Sequence, residues 1–104
     1  MNLDLGDMIA SVKIIKLSYE ELQKIEPESD KNFCGLYMPE QNTIYLADDY
    51  KNIDILDILL HEIGHLIIDE LKLYKSEEHK ADILAIRLKN LLREKKKIYA
   101  ICRK

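Results

Sequence analysis

The sequence predicts an α+β fold, a small sheet of three strands or so covered on one face by helices. Three observations carry that expectation. Runs of β-prone residues cluster before position 47, apolar residues recur at helical spacing from position 53 onward, and Gly and Pro together number only five among 104 residues. A chain of this length supports one core, so residues 1–104 are read as a single domain.

The elements follow in order. Residues 1–10 read as a loose lead-in. In Val12–Leu17 the apolar Val12, Ile14, Ile15 and Leu17 alternate around Lys13 and Lys16, which predicts a first strand. Ser18 and Glu21 form a capping box, so a short helix with Leu22 and Ile25 on its apolar edge should run until Pro27, before a polar loop through Asn32. Residues 33–38 and 43–46 flank Pro39-Glu40-Gln41-Asn42, a turn sequence, and predict a hairpin. Residues 53–71 carry Ile53, Leu56, Leu59, Leu60, Ile63, Leu66 and Ile67 at helical spacing, with further Ile and Leu elsewhere, which predicts a central helix buried on most sides. Residues 73–75 then link it to a last long helix capped by Ser76, whose stripe would be Ala81, Leu84, Ala85, Leu88, Leu91 and Leu92.

Composition narrows the function classes. An apolar content of 47% with 34% charged residues suits a folded globule. No apolar run approaches the ~18 to 20 residues of a transmembrane helix, and the first ten residues lack a signal-peptide pattern, so a soluble, cytoplasmic protein without a membrane role is expected. Cys34 and Cys102 are too few for a disulfide scaffold and read as small apolar thiols. The net charge is −3, divided between −10 over residues 1–86 and +7 over residues 87–104. Basic residues such as Arg93, Lys95, Lys96 and Lys97 complement a helix C-terminus, and without an aromatic platform they do not argue for nucleic acid.

The chemistry lies in His61-Glu62-Ile63-Gly64-His65. Histidines at i and i+4 share a helical face about 6 Å apart, so both imidazoles can reach one metal ion while Glu62 projects beside it. Burying two imidazoles and a carboxylate in an apolar helix costs several kcal/mol unless they are paired or coordinate a metal. The expected cofactor is Zn2+, which needs a third protein ligand and leaves a fourth position for water. Glu77, Glu78 and His79 are the candidates. Projection from the apolar stripe turns Glu77 and Glu78 toward the core and His79 away, although first-turn residues are poorly placed by projection. Asp82, at i+3 from His79 and i+4 from Glu78, could accept the second ring N–H of a zinc-bound histidine, with His61 the nearer partner.

The HEIGH segment followed by Glu78-His79-Lys80-Ala81-Asp82 resembles the gluzincin metallopeptidases, which join HExxH on one helix to an E-x-x-A-D or E-x-x-x-D element on the next. The short chain is most similar to the minigluzincins, over residues 12–92. That resemblance implies His61, His65 and Glu78 as zinc ligands, Glu62 as general base and acid, and Asp82 as the aspartate of the second element. Gly35-Leu36-Tyr37 and Asn42-Thr43-Ile44-Tyr45-Leu46 also resemble strands of IrrE/ImmA-type metallopeptidases, which would make a regulatory peptidase acting on a repressor.

The expected activity is peptide-bond hydrolysis: a zinc-bound water attacks the carbonyl, and Glu62 takes its proton and passes it to the leaving amine. A peptide or protein substrate could lie antiparallel to an edge strand, with residues 43–46 the candidate. Tyr37, Tyr45 and Tyr74 are the tyrosines available to assist at the oxyanion. The resemblance implies latency as well, since minigluzincins are zymogens blocked by their C-terminal segments. Here residues 91–104, apolar from Ile98 to Cys102 and then basic, would mask the cleft within one molecule or by exchange in a homodimer, with a Cys102 thiolate on zinc as a variant. A zinc-stabilised interaction module that cleaves nothing is the rival reading.

Overall fold

The computed structural model describes residues 1–6, 11–26 and 33–103. Their order is β1 (Asn2–Leu3), β2 (Val12–Leu17), α1 (Tyr19–Gln23), β3 (Gly35–Met38), β4 (Thr43–Ala47), α2 (Ile55–Leu71), α3 (Glu77–Arg93) and α4 (Lys95–Cys102). The α+β expectation holds, with a mixed four-stranded sheet ordered β1-β2-β4-β3. β4 pairs in parallel with β2, Ile14 opposite Ile44, and antiparallel with β3, Tyr37 opposite Ile44.

Two consequences differ from the sequence reading. The lead-in is not loose at its start, because Asn2–Leu3 pair antiparallel with β2 and Leu3 and Leu5 are fully buried. β4 is an interior strand, so it cannot receive an extended peptide; the edge that remains beside α2 is β3.

Local chemistry explains the ends of the elements. Both halves of the capping box form at α1: the Glu21 N–H donates to Ser18 Oγ at 3.1 Å, and the Ser18 N–H donates to the Glu21 carboxylate at 3.3 Å. The Pro27 stop and the loop through Asn32 lie outside the described residues. The hairpin turns through a 3-10 segment, Pro39–Gln41, and closes on Asn42 at φ 50°, a left-handed conformation that Asn tolerates. Asp54 caps α2 by accepting the Leu56 N–H at 3.1 Å.

The core lies between the sheet and α2. Ile14, Ile44 and Leu46 of the strands meet Ile58, Leu59, Ile63 and Leu66 of α2, and Ile98 and Ile101 of α4 complete the cluster. The long final helix breaks at Glu94, which redirects the chain so that Ile98 and Ile101 reach this core. The last helical segment is therefore part of the body. Lys16 Nζ also donates to the carbonyls of Ile101 and Arg103 at 3.0 and 3.2 Å, tying that end to β2.

α3 is seated by a different face from the one its apolar stripe predicts. Its buried residues are Ile83 and Arg87, with Leu91 half-buried in line with them, while Ala81, Leu84, Ala85, Leu88 and Leu92 are exposed. The cause is a pair of charges. Arg87 Nε and Nη2 donate to Glu70 Oε1 and Oε2 at 2.8 and 2.6 Å, and Nη1 donates to the Leu5 carbonyl at 2.7 Å. A desolvated bidentate pair fixes rotation more strictly than interchangeable apolar contacts do. α2 is likewise not buried on most sides, since Leu60 and Ile68 are exposed next to its polar face. No helix among the described residues is long and apolar enough to cross a membrane.

Candidate metal centre

α2 places both motif histidines on its open face, one turn apart. Their rings meet edge to face, with centroids 4.7 Å apart and planes at 84°, and the two Nε2 atoms lie 3.1 Å apart. In the neutral rings one Nε2–H can donate to the other. Glu62 falls on the neighbouring buried face, and only 6% of it is exposed. The ligand atoms of His61, Glu62 and His65 all lie within 4.8 Å of one another, a group able to hold a metal ion.

The histidine pair has the spacing of two ligands on one metal ion. Tetrahedral zinc with Zn–N of about 2.0–2.1 Å holds two nitrogens about 3.3–3.4 Å apart, close to the separation observed.

β3 positions the carboxylate. The Tyr37 backbone N–H faces Glu62 and favours its ionised form, so the edge strand lies against the acid. Close approach of strand and helix depends on Gly35: a Cβ there would lie 2.5 Å from Ile58 Cγ2 and 3.0 Å from Glu62 Cγ. Burial raises the pKa of Glu62 from its ordinary carboxylate value, against smaller lowering effects of His65, His61 and the Tyr37 N–H. A buried acid beside two imidazoles is suited to moving a proton.

Two cavities flank the pair. The larger, about 620 Å³, lies toward the start of α2 and is bordered by Phe33, Cys34, Ile53, Asp57 and Ile58 together with the motif residues. The smaller, about 350 Å³, lies toward the end of α2, where Tyr37, Ile68, Asp69 and Lys72 meet Glu62 and His65.

The second helix does not complete the centre. Glu77, Glu78, His79 and Asp82 are all exposed on α3, and none joins the His61–Glu62–His65 group. Glu78 is five residues before Ile83, about 140° around the helix from the buried face, so the rotation set by Arg87 turns it outward. His79 instead lies edge-on to Tyr74, with centroids 6.4 Å apart. Cys102 is remote from the pair, bordering a cavity with Asp54, Leu56, Tyr99 and Arg103, and burial pushes its thiol pKa up. Of the three tyrosines, Tyr37 borders the smaller cavity beside Glu62, whereas the Tyr45 hydroxyl is engaged with Gln41 Oε1 at 2.7 Å.

Sequence reasoning missed three contributors. Gly35 was legible as a glycine inside a strand; the Tyr37 N–H and Asp57 carry no signal of their own in the sequence.

The scaffold and the histidine pair define a small α+β protein with a group able to hold a metal ion. No family model, no curated protein and no solved structure matches the chain.

Proposed function

We propose that the protein is a zinc-dependent metallopeptidase of the gluzincin type, most similar to the minigluzincins. The observation that carries the reading is the His61–His65 Nε2 separation of 3.1 Å with the buried Glu62 carboxylate beside it, on the wall of an open cleft. His61 and His65 would hold the metal. Zinc supplies a Lewis acid and an acidified water when it is bound. Glu62 takes the proton of the attacking water and returns it to the leaving amine. The free edge of β3 aligns an extended substrate by backbone hydrogen bonds, in place of the interior β4.

Latency is part of this proposal. Glu78, the third ligand the resemblance implies, stands on the outer face of α3 away from the pair, so in a single copy His61 and His65 alone would hold the zinc. The outer side of α3 also carries exposed leucines: Leu88 and Leu92 are 49% and 76% exposed, while Leu60 and Ile68 lie exposed beside the histidines. α4 uses Ile98 and Ile101 in its own core and lines neither cavity beside the pair, so masking by residues 91–104 operates between two copies. The arrangement is a homodimeric, cytoplasmic zymogen.

Metal analysis should find one zinc per chain in both the parent protein and Glu62→Gln. The Leu88→Glu, Leu92→Glu protein, altered only at exposed positions, should be a single copy and should degrade an unfolded protein substrate only while Glu62 is present. Degradation that persists in Glu62→Gln would remove the mechanism. Zinc binding without cleavage by any form would favour a non-catalytic zinc module.

A further inference from the structure

We infer that the larger cavity beside the histidine pair receives a lysine or arginine side chain of a substrate polypeptide, selected by Asp57. This names the substrate class of the site proposed above and rests on that reading. The walls are apolar, formed by Phe33, Cys34, Ile53 and Ile58, and no side chain projects from Gly35 to fill the space. Asp57 is the exposed carboxylate bordering the cavity among the described residues, and it stands one turn before His61 on the same helical face.

An apolar wall with a carboxylate at its edge matches one kind of side chain. Lysine and arginine lay a hydrocarbon stem along apolar surface and keep the charged head at the water boundary. Norleucine fills the same wall but leaves Asp57 partly desolvated without a partner, and a glutamate is repelled by it. The cavity on the other side of the pair is bordered by both Asp69 and Lys72, so it offers no single sign of charge and little selection. The −10 charge of residues 1–86 favours a cation in the same direction.

The test uses the full-length Leu88→Glu, Leu92→Glu, Glu62→Gln protein loaded with zinc, which binds without cleaving. Fluorescein-labelled Gly/Ser decapeptides carrying one Lys, Arg, norleucine or Glu are titrated by anisotropy at low and high salt. Lys and Arg peptides should bind about 3 to 10-fold more tightly than norleucine at low salt, and less so at high salt. Asp57→Asn should reduce the ratio to below about 2-fold.

Equal or tighter binding of norleucine, a preference that survives Asp57→Asn, or no binding of any peptide would overturn the inference. The same peptides offered to the protein with Glu62 intact separate the two claims. Cleavage indifferent to Lys and Arg refutes the pocket and leaves the peptidase; selective binding with no cleavage by any form refutes the peptidase and leaves the pocket.

Discussion

Arg87→Ala should be among the most damaging single substitutions in this chain, although it lies in a helix that looks amphipathic and solvent-facing. The guanidinium is fully buried, the Glu70 side chain is 8% exposed, and three hydrogen bonds of 2.6 to 2.8 Å join Arg87 to Glu70 and the Leu5 carbonyl. Removing it strands a buried carboxylate and a backbone acceptor together, which costs about 3–5 kcal/mol. Against a total stability of about 5–15 kcal/mol for a domain of this size, that is about a fifth or more, or about 15–30 °C in Tm. Urea denaturation followed by circular dichroism at pH 7 measures the loss, and proteolysis near residues 74–76 should report the release of α3. Arg87→Met combined with Glu70→Leu removes both charges and should stay within about 2 kcal/mol of the parent. A loss under about 1 kcal/mol for Arg87→Ala, or a double variant as unstable as the single one, would refute the reasoning.

The other expectations concern the site. Gly35→Ala should cost about 1–3 kcal/mol by equilibrium denaturation, because its Cβ would meet Ile58 and Glu62 and push β3 off α2. In metal-free protein Glu62→Gln should raise stability by about 1 kcal/mol at neutral pH. Burial raises the folded-state pKa of Glu62, so its ionised form penalises folding above the unfolded value near 4.5, and the advantage of the glutamine should vanish in melts below that pH. Zinc should raise Tm with concentration, by about 2.7 kcal/mol of stability at 100 times its Kd, and His61→Ala or His65→Ala should abolish the shift in calorimetry.

Much of the scaffold can be read from local pattern. β2, the hairpin and α2 occupy positions within a residue or two of where alternation, turn chemistry and helical spacing place them, and the capping box at Ser18 forms both of its bonds. The first strand escapes because two residues, Asn2 and Leu3, are too few to show a period, and what makes them a strand is β2 beside them. The misplaced edge has a similar origin. Both hairpin strands look alike along the chain, and the parallel pairing of β2 with β4 is a contact between distant segments.

The histidine pair and its glutamate are a property of the sequence alone, since i and i+4 spacing on any helix brings two imidazoles together whatever surrounds them. Which face of α3 turns inward is not, because the apolar stripe from Ala81 to Leu92 and the single charge at Arg87 make opposite claims on one helix. A short-range pattern counts residues. The folded chain weighs desolvation, and a bidentate pair with Glu70, sealed by the Leu5 carbonyl, orients the helix so that Glu78 and its leucines face outward.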